Sequence, residues 1–275
     1  MDTDPAARYE RARALTNQRR FAEAERALDD AQHALDELPE ADADLLARIA
    51  GTRAFVFERT GRATEGERLC RTALSTEGIG AHTRGVLAGQ LGTLFMHQGR
   101  LDEAQHWLSI AIDTIPDDPV AVANLRMNRS MIAMQRRDLA AGRADLEVAA
   151  ALYAAHGMPI DVAEVQHNLG YLALLAGDLV TAMREMAAAR PVIERVSAVN
   201  AAIGDVDRAE ALRDAGLTTE AERVLSDAAR VFGRNRMPQA RAEAELQLAR
   251  SLLRHDPARA RRVAAAATRR FTAAG

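Results

Sequence analysis

Residues 91–111 read LGTLFMHQGRLDEAQHWLSIA, and this stretch has the pattern of two antiparallel helices joined by a short turn. Small residues stand where the helices would cross, larger apolar residues would fill the space between them, and a glycine lies at the turn. The crossing residues are Gly92 and Ala104, the filling residues are Phe95 and Leu108, the turn residue is Gly99, and Pro116 closes the unit. Because a single helical pair cannot bury its apolar face, the stretch predicts a stack of such pairs.

The same pattern recurs along the chain at intervals of 38 to 42 residues. The small residues of the second helices are Ala24, Gly66, Ala104, Gly142, Ala182, Ala221 and Ala260. Helix pairs are predicted at about 5–18 and 21–36, 42–59 and 63–76, 80–97 and 101–114, 119–136 and 139–156, 160–175 and 179–195, 199–214 and 219–232, and 238–253 and 257–272. The corresponding repeats, about 5–38, 42–78, 80–116, 119–157, 160–196, 199–234 and 238–272, would form one solenoid over residues 1–275.

Turn chemistry supports these pairings. Gly61, Gly99, Gly177 and Gly216 stand where a helix ends and the chain reverses, as expected of a residue that adopts positive φ without strain. Asp256 followed by proline has the pattern of a helix start.

The order of leucine, glycine, aromatic and alanine resembles the tetratricopeptide repeat (TPR) family position for position, although that repeat has about 34 residues. The resemblance implies an all-α fold, a TPR-like right-handed α-solenoid of about seven helix pairs. It also implies that the product of the fold is a surface for protein or peptide partners, so that the chain is a scaffold and not an enzyme.

Several short sequence segments of the central and C-terminal repeats resemble a narrower family. They include residues 128–129, 135–139, 144–147, 167–171, 175–179, 208–212 and 256–260. These segments resemble the repeat regions attached to caspase-like CHAT domains in high-GC bacteria, over roughly residues 80–272. In that family the repeats sense or hold a partner, and a protease-like domain with a His/Cys dyad follows. No such domain occurs in these 275 residues, so the resemblance implies a regulatory or recruiting module.

Composition narrows the class of protein further. All 36 basic residues are arginine, a usage typical of high-GC bacteria, and the net charge of −3 argues against a strongly basic nucleic-acid-binding protein. The charge is unevenly distributed. Residues 1–50 carry 7 Arg and 12 acidic residues, a net of −5, whereas residues 223–275 carry 12 Arg and 4 acidic residues, a net of +8. One hypothesis from these unlike ends is weak head-to-tail self-association. The alternatives are that both ends are merely solvated surfaces, or that the basic end docks on a downstream domain.

The sequence also predicts where the protein resides. A single cysteine, Cys70, excludes a disulfide framework and is typical of a reducing compartment. The N-terminal residues are acidic and lack the apolar segment of a signal peptide. No stretch approaches the roughly 20 apolar residues of a membrane span. We therefore expect a cytoplasmic protein that has no membrane partner.

The residues offer little chemistry. Cys70 aligns with Leu108 and Leu146 of other repeats, which is a core position, so we interpret it as a packed thiol. The seven histidines do not have the spacing of metal ligands, and no phosphate-binding loop or nucleophile elbow occurs. The sequence predicts no catalytic residue, no metal and no cofactor.

The first helix of each pair is expected to line a concave groove in pairs three to six. Residues spaced three, four and three apart share one helix face. In pairs three and six they are Val86, Gly89, Thr93 and Met96, and Ile203, Val206, Glu210 and Arg213. In pairs four and five they are Asn124, Met127, Met131 and Met134, with Asn128 beside them, and Glu164, His167, Tyr171 and Leu174, with Asn168 beside them. The predicted binding residues are Met127, Asn128, Met131, Met134, His167, Asn168, Tyr171, Glu210 and Arg213.

Two alternatives stay open for this groove. The methionines suit an adaptable binding surface, but they could equally pack against the next repeat. Asn128 and Asn168 align with the asparagine that, in the TPR family, commonly bonds the backbone of a ligand, which an amide does as donor and acceptor at once. The alternative is that each bonds within its own repeat.

Three functional hypotheses follow. The first is a protein- or peptide-binding scaffold with a regulatory role. The second is the sensor half of a longer bacterial signalling or conflict protein with a C-terminal effector. The third is nucleic-acid binding through the arginines of the last helix, Arg259, Arg261, Arg262, Arg269 and Arg270. This hypothesis is disfavoured, because no aromatic side chains accompany these arginines as a platform on which bases could stack.

Overall fold

A computed structural model of the chain describes residues 4–40 and 42–274, which contain fourteen α-helices and no strand. The helices are α1 (Pro5–Asn17), α2 (Phe21–Asp36), α3 (Ala43–Arg59), α4 (Ala63–Leu74), α5 (Ala81–His97), α6 (Leu101–Thr114), α7 (Pro119–Gln135), α8 (Leu139–Ala155), α9 (Pro159–Leu175), α10 (Leu179–Glu194), α11 (Ala198–Asp214), α12 (Thr218–Arg234), α13 (Pro238–Leu252) and α14 (Pro257–Ala274). The all-α prediction is confirmed, and each helix end lies within two residues of its predicted position.

The helices form two compact units, residues 1–132 and 133–275, and the division falls within α7. In the first unit α1 packs on α2, α3 on α4 and α5 on α6, and the second helices α2 and α4 also pack on the next first helix. The second unit repeats this arrangement with α9 on α10, α11 on α12 and α13 on α14. Each unit is therefore a stack of helical pairs. One continuous solenoid over residues 1–275 stays a prediction.

The helix crossings explain why small residues recur in the sequence. As predicted, all seven small residues of the second helices are buried. A Cβ atom added to Gly92 would lie 2.6 Å from Cγ of Leu108, and one added to Gly66 would lie 2.9 Å from the carbonyl oxygen of Ala54. The crossings therefore have no room for larger side chains.

In the first six pairs a larger buried side chain follows the small residue by one helical turn, and in the second pair it is Cys70. Burial raises the pKa of the Cys70 thiol to about 12. Because the thiolate is the nucleophilic form, this cysteine is inert at neutral pH and acts as a core residue.

The turns within pairs adopt the expected backbone, with one difference. Gly61, Gly99 and Gly177 have positive φ, and the turn glycine of the sixth pair does as well. In the first and fourth pairs the same conformation is adopted by Arg19 (φ 57°) and Arg137 (φ 61°). The sequence does not indicate this, because a residue with a Cβ atom is strained in the left-handed region.

Charged side chains connect neighbouring pairs in the first unit. The guanidinium group of Arg62 donates to Glu25 of the preceding pair (2.9 Å), and that of Arg100 donates to Glu67 of the preceding pair (2.7 Å). The Arg100 guanidinium also lies 4.1 Å from the centroid of the Phe95 ring, covering an aromatic side chain that is itself fully buried. These contacts fix the stacking of one pair on the next.

Candidate functional site

An open cleft of about 700 Å³ lies on the first-helix side of the first unit. Its lining residues lie on α1, α3 and α5 and in the loop at residues 78–80. The side chains that shape it are Tyr9, Arg13, Arg48, Phe55, Val86 and Gln90. The volume is in the range of pockets that bind small ligands or several side chains of a partner.

Contacts among its lining residues hold the α1 side of the cleft in place. The hydroxyl oxygens of Tyr9 and Thr52 lie 3.1 Å apart, and the Arg48 guanidinium lies 4.8 Å from the centroid of the Tyr9 ring. Arg48 and Arg13 both donate to the carboxylate of Glu10, at 3.2 and 3.0 Å. Two guanidinium groups therefore share one carboxylate, and each retains further N–H donors for a partner.

Polar contacts also hold the opposite side. Asp44 accepts hydrogen bonds from the backbone N–H of Gly80 (2.8 Å) and from the hydroxyl of Thr83 (2.9 Å). The Gln90 amide donates to Glu58 (3.1 Å). With Phe55 partly exposed and Val86 47% exposed between these groups, the cleft combines an apolar surface with fixed hydrogen-bonding groups.

The groove predicted from the sequence lies in pairs three to six, whereas this cleft lies in pairs one to three. The spacing rule that selected the predicted groove residues also applies to α1 and α3. On α1 it selects Tyr9 and Arg13, and on α3 it selects Arg48, Gly51 and Phe55, all of which line the cleft. The signal for the cleft was thus present in the sequence.

The predicted residues of α7 differ in accessibility. Met131 is 40% exposed, Met127 is partly buried, and Met134, which belongs to the second unit, is 6% exposed. The Asn128 amide donates to the hydroxyl of Thr93 on the preceding first helix (3.1 Å). Met131 is therefore accessible to a partner, Met134 packs in the interior, and Asn128 bonds to a neighbouring repeat, not to its own.

In the second unit, α9 and α11 bring four predicted residues together. His167 is buried, and its Nε2 atom lies 3.2 Å from Oδ2 of Asp207, a carboxylate 40 residues away in sequence. Tyr171 is partly buried, and burial and the nearby Glu210 carboxylate raise the pKa of its hydroxyl. The side chain of Asn168 makes no hydrogen bond with the residues that the structure describes.

Polar bonds also connect successive first helices of the second unit. The Arg213 guanidinium on α11 donates to Gln247 on α13 (3.0 Å), and the Asn200 amide on α11 donates to Glu164 on α9 (3.1 Å). Ile203 lies on α11 and is 49% exposed. The first-helix side of this unit therefore presents bonded polar groups beside an accessible aliphatic side chain.

Within residues 4–40 and 42–274, no helix is long and apolar enough to cross a membrane. No group of three or more histidine, cysteine, aspartate or glutamate side chains in this part of the chain is arranged to hold a metal ion.

Comparison with known proteins identifies the fold. No protein-family model matches the chain, and no curated protein matches its sequence. Among solved structures, a Rap protein complexed with competence and sporulation factor superposes with a TM-score of 0.77 at 13% identity, covering 96% of this chain and 77% of the Rap chain. The apo form of RapI superposes with a TM-score of 0.74 at 11% identity and covers 98% of both chains.

A third similar structure contains its repeats within a much larger protein. It is a signal transduction ATPase (STAND) with a tetratricopeptide repeat sensor from Pyrococcus horikoshii, which has a TM-score of 0.63 at 14% identity and covers 89% of this chain and 38% of that chain. Identities this low carry information about the fold only. The TPR-like all-α fold predicted from the sequence is confirmed, whereas the resemblance to CHAT-associated repeats stays a hypothesis.

Proposed function

We propose that this chain is a scaffold that binds a protein partner through the first-helix sides of its helical pairs. The observation that carries the proposal is the open cleft of about 700 Å³, whose lining comes from three successive first helices and one loop. Aromatic, aliphatic and guanidinium groups meet there, and such groups are enriched where proteins bind one another. The Rap protein that shares the fold was solved in complex with competence and sporulation factor, which is a precedent for a bound partner on this fold.

The chemistry of the cleft favours an extended polypeptide segment as the bound element. Phe55 and Val86 offer apolar contact, while the spare N–H groups of Arg13 and Arg48 offer donors to main-chain carbonyl or side-chain carboxylate oxygens. An extended segment presents carbonyl groups and side chains in alternation, so it can use both kinds of group at once.

The predicted residues outside this cleft have two proposed roles. The contact residues are Met127, Asn128, Met131, Asn168, Tyr171, Glu210 and Arg213. His167 and Met134 are buried, so we assign them the role of supporting the contact residues from beneath. A regulatory role, a bacterial origin and a cytoplasmic location belong to this proposal as well.

A second candidate function is that of a sensor within a longer signalling protein. The P. horikoshii ATPase favours it, because its tetratricopeptide repeat sensor shares this fold while this chain covers only 38% of that protein. The effector would then be a separate domain, such as the CHAT-type protease implied by the sequence resemblance. A gene that encodes the effector in the same reading frame would favour the sensor, and a free-standing gene would favour the scaffold.

The scaffold proposal is tested with two aspartate substitutions at similarly exposed apolar residues. Val86 lines the cleft on the first helix α5 and is 47% exposed, and Val148 lies on the second helix α8 and is 39% exposed. A partner captured by the tagged chain from its native cells should be lost, by at least about tenfold, with Val86→Asp, since a charge at an apolar contact is desolvated on binding. Recovery should be unchanged with Val148→Asp. Equal recovery with both variants would contradict the proposal.

A further inference from the structure

Within residues 234–269, eight exposed arginines have no side-chain partner among the described residues. They belong to α12, α13, α14 and the turns between them. They are Arg234, Arg236, Arg250, Arg254, Arg259, Arg261, Arg262 and Arg269. We call this set the basic face.

Of the four carboxylates in residues 223–275, three are already engaged, and Glu243 on α13 is exposed and has no side-chain partner among the described residues. Asp227 pairs with Arg230, and Glu245 accepts from Arg241 at 2.8 Å. The Asp256 carboxylate accepts the backbone N–H of residue 259 (2.9 Å) and caps α14. Within residues 223–275 the arginines thus outnumber the carboxylates by eight, and the eight arginines of the basic face are exposed.

The first unit has a complementary set of unpaired charges. Because each pair is an antiparallel hairpin, the loops that join successive pairs lie at the same edge of the stack. Along that edge, at the ends of α2 and α6 and in the loops that follow α2, α4 and α6, six exposed carboxylates have no side-chain partner among the described residues. They are Asp36, Glu37, Glu40, Glu77, Asp113 and Asp117. We call this set the acidic edge.

Both sets include exposed apolar side chains. Leu38 lies within the acidic edge and is 47% exposed. Leu246 and Arg250 lie four residues apart on α13, and Leu253 follows directly after the helix end, so an arginine lies between two exposed leucines. An apolar centre with a charged surround is the usual composition of a protein interface.

We propose that the acidic edge of one copy of this chain binds the basic face of a second copy. Charge complementarity identifies the occupant, since the chain carries both surfaces and supplies them at equal concentration. A single-stranded nucleic acid fits the basic face less well, because such partners require aromatic side chains on which bases stack, and Phe271 is the only exposed aromatic side chain of α12–α14 in the described residues. Since the contact joins unlike surfaces, each assembly retains one free surface at either end and can grow.

Salt and protein concentration provide the first test. Charges on opposing surfaces attract beyond about 10 Å only below about 0.1 M salt. The weight-average mass measured by sedimentation of the full chain should rise with protein concentration at about 20 mM NaCl and fall to that of the monomer at about 300 mM. A monomer at low salt over the whole concentration range would overturn the proposal, and so would binding of poly(U) RNA by a chain that remains monomeric.

Charge reversal then tests the surfaces. One variant carries Asp36→Arg, Glu37→Arg and Glu40→Arg, and a second carries Arg261→Glu, Arg262→Glu and Arg269→Glu. The first variant takes the charge of the acidic edge from −6 to 0, and the second takes that of the basic face from +8 to +2, so the association constant of each variant alone should fall by at least about tenfold. An equimolar mixture should associate again, because the first variant keeps an unmodified basic face and the second keeps an unmodified acidic edge. Failure of the mixture to associate would refute the pairing.

A matched control separates this contact from the effect of net charge. Glu65, Asp214 and Glu220 are exposed, have no side-chain partner among the described residues and lie outside both surfaces. A variant with arginine at these three positions has the same net charge as the first variant but should associate as the unmodified chain does. Equal loss of association in both variants would show that net charge alone drives association, which would contradict a defined contact.

Discussion

Phe95→Ala is expected to lower the free energy of unfolding by about 3–5 kcal/mol. Phe95 is fully buried between α5 and α6, and the Arg100 guanidinium covers its ring. Truncation removes the ring from the space between α5 and α6. Because Gly92 has no side chain that could fill this space, a cavity remains. Urea denaturation followed by circular dichroism measures the loss of stability. If the two units unfold in separate transitions, the free energy of unfolding is obtained from the transition of the first unit.

Phe55→Ala is the matched control. Phe55 lies on α3 of the same unit, but it lines the open cleft and is partly exposed. Its truncation leaves no closed cavity, so the stability loss should be clearly smaller, about 1 kcal/mol or less. Equal losses for the two variants would mean that Phe95 is not a core residue of the helix crossing.

Ala104→Leu is expected to destabilise the first unit by about 1–3 kcal/mol. Ala104 is fully buried where α6 crosses α5, next to Gly92, at which even a Cβ atom would lie 2.6 Å from Leu108. Three additional carbon atoms must therefore displace a helix or force side chains from their preferred rotamers. Thermal or urea denaturation measures the change.

Ala22→Leu provides the comparison for this substitution. Ala22 lies on the second helix α2 of the same unit but is exposed, so the same change should alter stability by no more than about 0.5 kcal/mol. A fully stable Ala104→Leu variant would mean that the small residues of the repeats do not mark helix crossings.

The sequence predicted the helices and their pairing because local rules determine both. Small residues at a crossing such as Gly92 and Ala104 leave a pattern of fixed spacing, and Gly99 leaves a turn signal. The core role of Cys70 followed in the same way, from its alignment with Leu108. These features depend on residues close to one another in the chain, so a single repeat carries the information.

Features that depend on how one pair stacks on the next were harder to predict. The partner of His167 is Asp207, which no spacing within a helix indicates because it belongs to the next first helix. Arg19 has the same left-handed backbone conformation as the turn glycines of other pairs. The geometry of the turn requires this conformation, and the arginine side chain itself gives no sign of it. The cleft at Tyr9 and Phe55 has the same spacing as the predicted groove, but only the stacked helices show that open space lies there.

Site-directed photo-crosslinking tests most directly whether first-helix sides bind a partner. A photoreactive amino acid is placed at Ile203 on the first helix α11 or at Val180 on the second helix α10, both exposed aliphatic residues of the second unit. After irradiation in native cells, binding through the first-helix sides predicts a covalent adduct with a partner polypeptide from Ile203 and none from Val180. Adducts of equal yield from both positions, or an adduct from Val180 alone, would contradict it.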